Sequence, residues 1–253
     1  MRTLLSLPML LASAVPVALV QAEPLQQSAR CAVPAPGQYL IVSQGLRGDQ
    51  PLGRLQLEEW FPDGAVSGTR FLRVGRTYSE TQYQGRWQSE SDCGLSVTRD
   101  ESGSASKVLL TSAGLPRYGL SDRTGDVVRE RWIPQPDRRC DPETMNGSFL
   151  SQQSGTTFAD SSWNANAVIQ RESWTGWRMV GLAISSYDGI GEVAAYQGQF
   201  TQVDNCIGQI RQQDDRGVTY AYAAILRSDG LGYAYLQTQG DDLTVATVEK
   251  SLP

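Results

Sequence analysis

Tyr83–Cys93 reads YQGRWQSESDC, and Tyr196–Cys206 reads YQGQFTQVDNC. Each stretch has Tyr-Gln-Gly, an aromatic two residues on, and a cysteine six further. At an offset of 113 residues, Glu59–Cys93 lies on Glu172–Cys206 without a gap, with six of thirty-five pairs identical. Flanking landmarks keep the same order. Cys31, Gly37, Tyr39 and Leu40 recur as Cys140, Gly147, Phe149 and Leu150; Ser112-Ala-Gly-Leu115 recurs as Ser228-Asp-Gly-Leu231. Ordered self-similarity at one spacing marks a tandem duplication.

Within each half the hydrophobic period is two, the signature of strands. Leu55, Leu57, Glu59 and Phe61 alternate with Arg54, Gln56, Glu58 and Trp60. Asp63-Gly64, Thr124-Gly125, Asp188-Gly189 and Asp229-Gly230 supply turn chemistry between the runs. The breaks leave about eight strands per half, and closure of such a sheet into a barrel removes its edge strands. The expectation is an all-β chain of two tandem antiparallel eight-stranded barrel-like domains, each with one disulfide. Their bounds are 29–134 and 140–250, joined by a linker at 135–139 within the polar, proline-rich connector Pro134-Gln135-Pro136-Asp137-Arg138-Arg139. Each half is expected to have its own core and to fold alone. In the repeated phrase, Tyr83 and Trp87, like Tyr196 and Phe200, share one strand face. Gly85 and Gly198 lie between them and permit close approach of another backbone.

Residues 1–22 read as a cleaved secretory signal. Arg2 precedes an apolar run from Leu4 to Val20, and Val20-Gln21-Ala22 offers small residues for cleavage. The remainder is expected to be secreted or periplasmic and not an integral membrane protein. Four cysteines in an exported chain read as two disulfides. Only Cys31–Cys93 with Cys140–Cys206 maps onto itself under the repeat while keeping each half self-contained. The whole chain carries a net charge of −5, which argues against a nucleic-acid partner. There is no histidine, which removes Ser-His-Asp and Cys-His nucleophile systems and the usual zinc sites. No catalytic residue, metal-ligand set or cofactor motif is assigned.

The order Gly-x-Tyr/Phe, Asp-Gly, Tyr-x-Gly-x-aromatic, Asp/Asn-Cys and Ser-x-Gly-Leu resembles exported bacterial domains of the allene oxide cyclase barrel-like, calycin-like group. The resemblance spans both halves and implies an eight-stranded barrel. It carries over no catalytic residue, because no cyclase motif matches position by position.

Glu59 and Glu172 are the notable carboxylates, each alternating with apolar residues. Three roles fit such a group: a lumen carboxylate with a raised pKa, the partner of an inward arginine, or a strand-end residue on a wet face. Trp174 and Trp177, flanked by Arg171 and Arg178, fit either an aromatic platform for a ring or the cap of a barrel end. The second half is richer in small residues, among them Ala165, Ala167, Ala194, Ala195, Ala221, Ala223 and Ala224. A pocket is therefore expected in the second half, with Glu172 and Trp174 as lining and Trp177 near the rim. The first half is expected to be packed by Leu55, Leu57, Phe61, Tyr83 and Trp87. The leading function is a non-catalytic binding or envelope-associated module for a small apolar or sugar ligand. The alternatives are a cyclase- or isomerase-type enzyme using an inward glutamate, and a purely structural interaction module.

Overall fold

The computed structural model describes residues 31–91, 93–99, 103–136, 139–187 and 189–251. Residues 1–22, read from the sequence as a signal segment, lie outside them. The first half forms β1 (Gly37–Arg47), β2 (Gln50–Trp60), β3 (Ala65–Val74), β4 (Thr77–Ser89), β5 (Leu95–Arg99), β6 (Ser104–Leu110), β7 (Pro116–Ser121) and β8 (Asp126–Gln135). Each strand pairs antiparallel with the next, and β1 pairs with β8 from Gln38↔Gln135 to Arg47↔Asp126, closing the barrel. Pro134 is inside β8, so the first barrel runs one residue past the expected boundary.

The second half forms β9 (Asn146–Ala159), β10 (Ser162–Thr175), β11 (Arg178–Tyr187), β12 (Ile190–Asp204), β13 (Ile207–Asp214), β14 (Thr219–Leu226), β15 (Gly232–Gln237), β16 (Asp242–Leu243) and β17 (Val245–Lys250). Here β9 pairs with both β10 and β17, closing a second eight-stranded ring, while the two-residue β16 lies against β9. A single 3-10 turn at Pro142–Thr144 leads into it, capped by the Asp141 carboxylate on the Glu143 N–H. The disulfides are Cys31–Cys93 and Cys140–Cys206, one per barrel. Asn205 and Cys206 both adopt left-handed φ in the β12–β13 turn, at 48° and 70°, the backbone such two-residue hairpin turns require.

Three hydrophobic clusters hold this fold. One fills the end of the first barrel around Tyr39, Trp60 and Trp132, and one fills the same end of the second around Phe149, Trp174, Phe200 and Tyr233. The third belongs to neither lumen. Leu40, Leu55, Leu57 and Phe71 from the outside of the first barrel pack on Ala223, Ile225, Ala234 and Leu236 from the outside of the second. Both barrels form one compact unit from Ala32 onward. A fully buried Arg73 reinforces the junction, donating to the carbonyls of Gln237 (3.2 Å), Gln239 (3.3 Å), Gly240 and Asp242 (2.6 Å).

This shared core corrects the expected packing of β2. Leu55 and Leu57 face the other barrel, and Phe61 is partly exposed in the β2–β3 turn. The lumen side of β2 is Arg54, Gln56, Glu58 and Trp60, all buried. Alternation gave the right period and the wrong face, because both faces of this strand are covered and its apolar residues sit outside.

Candidate functional site in the second barrel

The repeated phrase has a physical meaning in the strand register. Glu58 on β2 pairs with Gly68 on β3, which pairs with Tyr83 on β4. Glu172, Gly181 and Tyr196 form the same line across β10, β11 and β12. The tyrosine lies over the glycine, where a Cβ would come within 2.7 Å of the Tyr83 Oη or 2.3 Å of the Tyr196 Cζ. Its hydroxyl then donates to the glutamate two strands away, at 2.6 Å for Tyr83–Glu58 and 3.0 Å for Tyr196–Glu172. The indole two residues after each glutamate donates to it as well, at 2.7 Å in both Trp60–Glu58 and Trp174–Glu172. Gly85 and Gly198 also serve close approach: an added Cβ would meet the Thr98 carbonyl at 2.0 Å or the Arg211 carbonyl at 2.9 Å.

The partner of Glu172 is thus Glu58. Glu59 lies on the outer face, in a groove between the barrels. The ungapped alignment slips there because the β2–β3 turn has one more residue than its counterpart. Trp60 pairs with Val66 across five intervening residues, Trp174 with Met179 across four. A signal for the true register was present in the sequence as Glu-x-Trp: Glu58-Glu59-Trp60, Glu172-Ser173-Trp174 and a third copy, Glu130-Arg131-Trp132. In that third copy the Trp132 indole donates to Glu130 at 3.1 Å.

Around this shared cluster the two lumens diverge. In the first, Arg99 donates to Glu58 at 2.7 Å and Arg54 is ion-paired with Glu130. Ser106 ties the halves of this network together, donating to Glu130 at 2.7 Å and accepting from Arg99 at 2.9 Å. Burial alone would lower the pKa of the Arg99 guanidinium, but Glu58, Tyr83 and Glu130 outweigh it and hold it above its ordinary value. The lumen is filled with paired charge.

Following the register around the second ring, Arg54 is replaced by Val168, Arg70 by Ala183, Arg99 by Gln212 and Glu130 by Ala246. Glu172 accepts its hydrogen bonds from Trp174, Tyr196 and Tyr233 (2.7 Å), all neutral donors. Burial raises its pKa above the usual 4.5, and those three bonds only partly offset the effect. Burial and the nearby Glu172 likewise push the Tyr196 phenol well above its ordinary range.

The replaced arginines leave space. A cavity of about 70 Å³ occupies the second lumen, lined by Gln153, Gln170, Gln212 and Gln237, five tyrosines including Tyr196, Tyr222 and Tyr235, and small side chains at Ala183 and Ala194. It is polar and about half the volume of an apolar cavity that holds benzene, ~150 Å³. Of the small residues singled out in the sequence, Ala194 lines it and Ala224 packs in the lumen core. Ala223 faces the first barrel. The mouth carries Asp214, Arg216 and Glu192. Burial would raise Asp214, but the Val218 N–H at 2.8 Å and the Arg216 side chain hold it below the usual carboxylate range.

Glu172 sits beneath this cavity, behind the Tyr196 ring, and does not line it. Trp174 stacks on Phe200 at 4.8 Å and plugs the closed end, where Trp177 packs against the same cluster. Trp177 is therefore at the end opposite the open mouth, because the β10–β11 turn lies opposite the β11–β12 and β13–β14 turns that frame it. Among the described residues, no group of three or more acidic, cysteine or histidine side chains is placed to hold a metal ion. No helix among them is long and apolar enough to cross a membrane.

Comparison with known proteins found no matching sequence family and no matching curated protein. Solved structures do match. A porin-like protein from Bacteroides uniformis is 9% identical, aligned over 88% of this chain and 100% of its own, with a TM-score of 0.25. A provisionally named AttH protein from Nitrosomonas europaea is 12% identical, over 93% and 98%, with a TM-score of 0.29. At these scores neither likeness carries an argument about the site.

Proposed function

We propose that this is an exported, non-catalytic binding protein that holds a small polyhydroxylated ligand, such as the end of a sugar, in the mouth of the second barrel. The observation that carries the reading is the divergence of two lumens built on one plan: the first holds Arg54, Arg70 and Arg99 with Glu58 and Glu130, and the second has a cavity lined by the arginines' counterparts Val168, Ala183 and Gln212. Primary amides both donate and accept, which suits one or two hydroxyls at the end of a sugar reaching into a cavity of about 70 Å³ while its ring stays at the mouth. Two disulfides agree with an oxidising compartment after export. Glu172 and Trp174 act as the floor that positions Tyr196 and Tyr233. A catalytic role for Glu172 is disfavoured by its place behind Tyr196, with both oxygens accepting from neighbours.

The test is native mass spectrometry of protein purified from its own source, wild type against Ala183→Leu, which fills the cavity. A bound hydrophilic mass in the wild type that is lost in the folded variant is the expected result. A mass retained in the variant, or no binding of any saccharide from a mono- and disaccharide panel, rejects the reading.

A further inference from the structure

A second, chemically different site lies outside both lumens. The outer face of β6, β7, β8 and β1 meets the outer face of β9 and β17, and the groove between them encloses about 1050 Å³. That is at the upper end of the ~300–1,000 Å³ of ligand pockets. Val42 and Val245, at the edge of the shared core, form its floor. One wall presents Leu109, Tyr118 and Leu120, which are 67%, 56% and 61% exposed. Side chains of this size left open in one contiguous apolar face mark an interaction site.

The register sets cations directly beside that wall. Leu120 pairs with Arg129 and Tyr118 with Arg131 across β7–β8, and Leu120 pairs with Lys107 on its other side. Lys107 is one of only two lysines in a chain whose net charge is −5, so a groove face with three cations runs against the overall acidity. Arg131 is ion-paired with Glu249 at 2.8 Å, and Lys107 with Glu90. Arg129 donates to the Gln44 amide at 3.5 Å, the outer limit of a hydrogen bond, and this leaves its guanidinium available to a stronger acceptor.

We infer that this groove binds a free single-chain amphiphile with one anionic head, of the fatty-acid class. The hydrocarbon lies along Val42, Leu109, Tyr118 and Leu120, and the carboxylate meets Arg129. An apolar floor with one oriented cation favours this occupant over a neutral or cationic one, and it is distinct from the polar occupant of the lumen.

The experiment is calorimetric titration of the full chain with dodecanoate below its micelle concentration, with dodecyltrimethylammonium as the opposite-charge control. Dodecanoate is expected to bind one to one. Arg129→Glu and Leu120→Glu should each weaken it by roughly tenfold or more, as loss of a charge-assisted bond or of an apolar contact predicts. The cationic amphiphile should bind more weakly by a similar factor. Both substitutions are at exposed positions, and a melting curve matching the wild type checks folding; Leu120→Ser replaces Leu120→Glu should that variant fail to fold. Equal affinity for the two head groups, or full binding in Arg129→Glu, overturns the inference. So does loss of dodecanoate binding in Ala183→Leu alone, or binding only to phosphatidylglycerol vesicles and not to monomeric dodecanoate.

Discussion

The two barrels share a Glu-Trp-Tyr cluster at the same end and differ in what surrounds it. In the first, Glu58 has a guanidinium partner, and the lumen is occupied by charge. In the second, Glu172 has three neutral donors, and the lumen is hollow above it. The difference teaches that the repeated residues build the barrel end, whereas the unrepeated ones decide whether the lumen above it holds paired charge or a cavity. At equivalent register positions the first barrel carries Arg70 and Arg99 and the second Ala183 and Gln212, while both keep the glutamate, tryptophan and tyrosine of the cluster.

The largest effect tests how independent the two barrels are. Each closes its own ring, yet Leu40, Leu55, Leu57 and Phe71 depend on the second barrel for burial. Burial of each such side chain contributes about 1.5–3 kcal/mol, and the whole stability of a domain is only ~5–15 kcal/mol. A chain cut between the barrels is therefore expected to give a first half that is unfolded or aggregated in isolation. This reverses the expectation of self-sufficient halves. A sharp amide spectrum and cooperative melting from the isolated first half would instead show that the lumen clusters suffice.

Next in size is one substitution made in both barrels. Glu58→Gln removes the carboxylate ion-paired with the buried Arg99, leaving only Glu130, reached through Ser106, to offset its charge, and is expected to cost about 3–5 kcal/mol. Glu172→Gln replaces a carboxyl that faces only neutral donors, and is expected to cost about 1 kcal/mol, the scale of one altered hydrogen bond. Urea melts of the two variants at neutral pH make the measurement. Equal costs would mean that the first-barrel ion network and the second-barrel neutral cluster are energetically alike.

A smaller effect is the pH dependence of that second cluster. A carboxyl whose pKa is raised on folding binds its proton more tightly in the native state, so its contribution is complete below the unfolded value. Stability should then fall as pH rises above 4.5 and through the raised folded value. Glu172→Gln should remove that slope, which is visible in the difference between the two pH–stability curves. A curve for the variant parallel to wild type would place the titration elsewhere.

Much of this architecture was legible in the sequence, and the reasons are local. Turn glycines and period-two alternation give the strands, and the repeat itself pairs Cys31 with Cys93 and Cys140 with Cys206. The face of β2 was not legible. Alternation assigns the apolar side of a strand to a core without saying which core, and Leu55 and Leu57 serve the one between the barrels. That error carried the candidate carboxylate from Glu58 to Glu59. Small side chains suggested a pocket in the second half; the cavity in that lumen has Ala183 and Ala194 in its lining, but most of its walls are glutamines and tyrosines. Trp174 and Trp177 belong to the closed end, where Trp174 on β10 stacks on Phe200 and Trp177 in the following turn packs against the cluster that contains Met145 and Phe200.

The central proposal is that a ligand enters the second lumen and not the first. It is tested most directly by nuclear magnetic resonance of the full chain, titrated with the saccharide panel or with the hydrophilic ligand recovered from the native protein. The side-chain amides of Gln153, Gln212 and Gln237 report on the second lumen, and the indole N–H groups of Trp60 and Trp132 report on the first. Saturable shifts confined to the glutamine amides are the predicted result. Shifts at the Trp60 and Trp132 indoles with the glutamine amides unmoved, or no shift in either set, would contradict it.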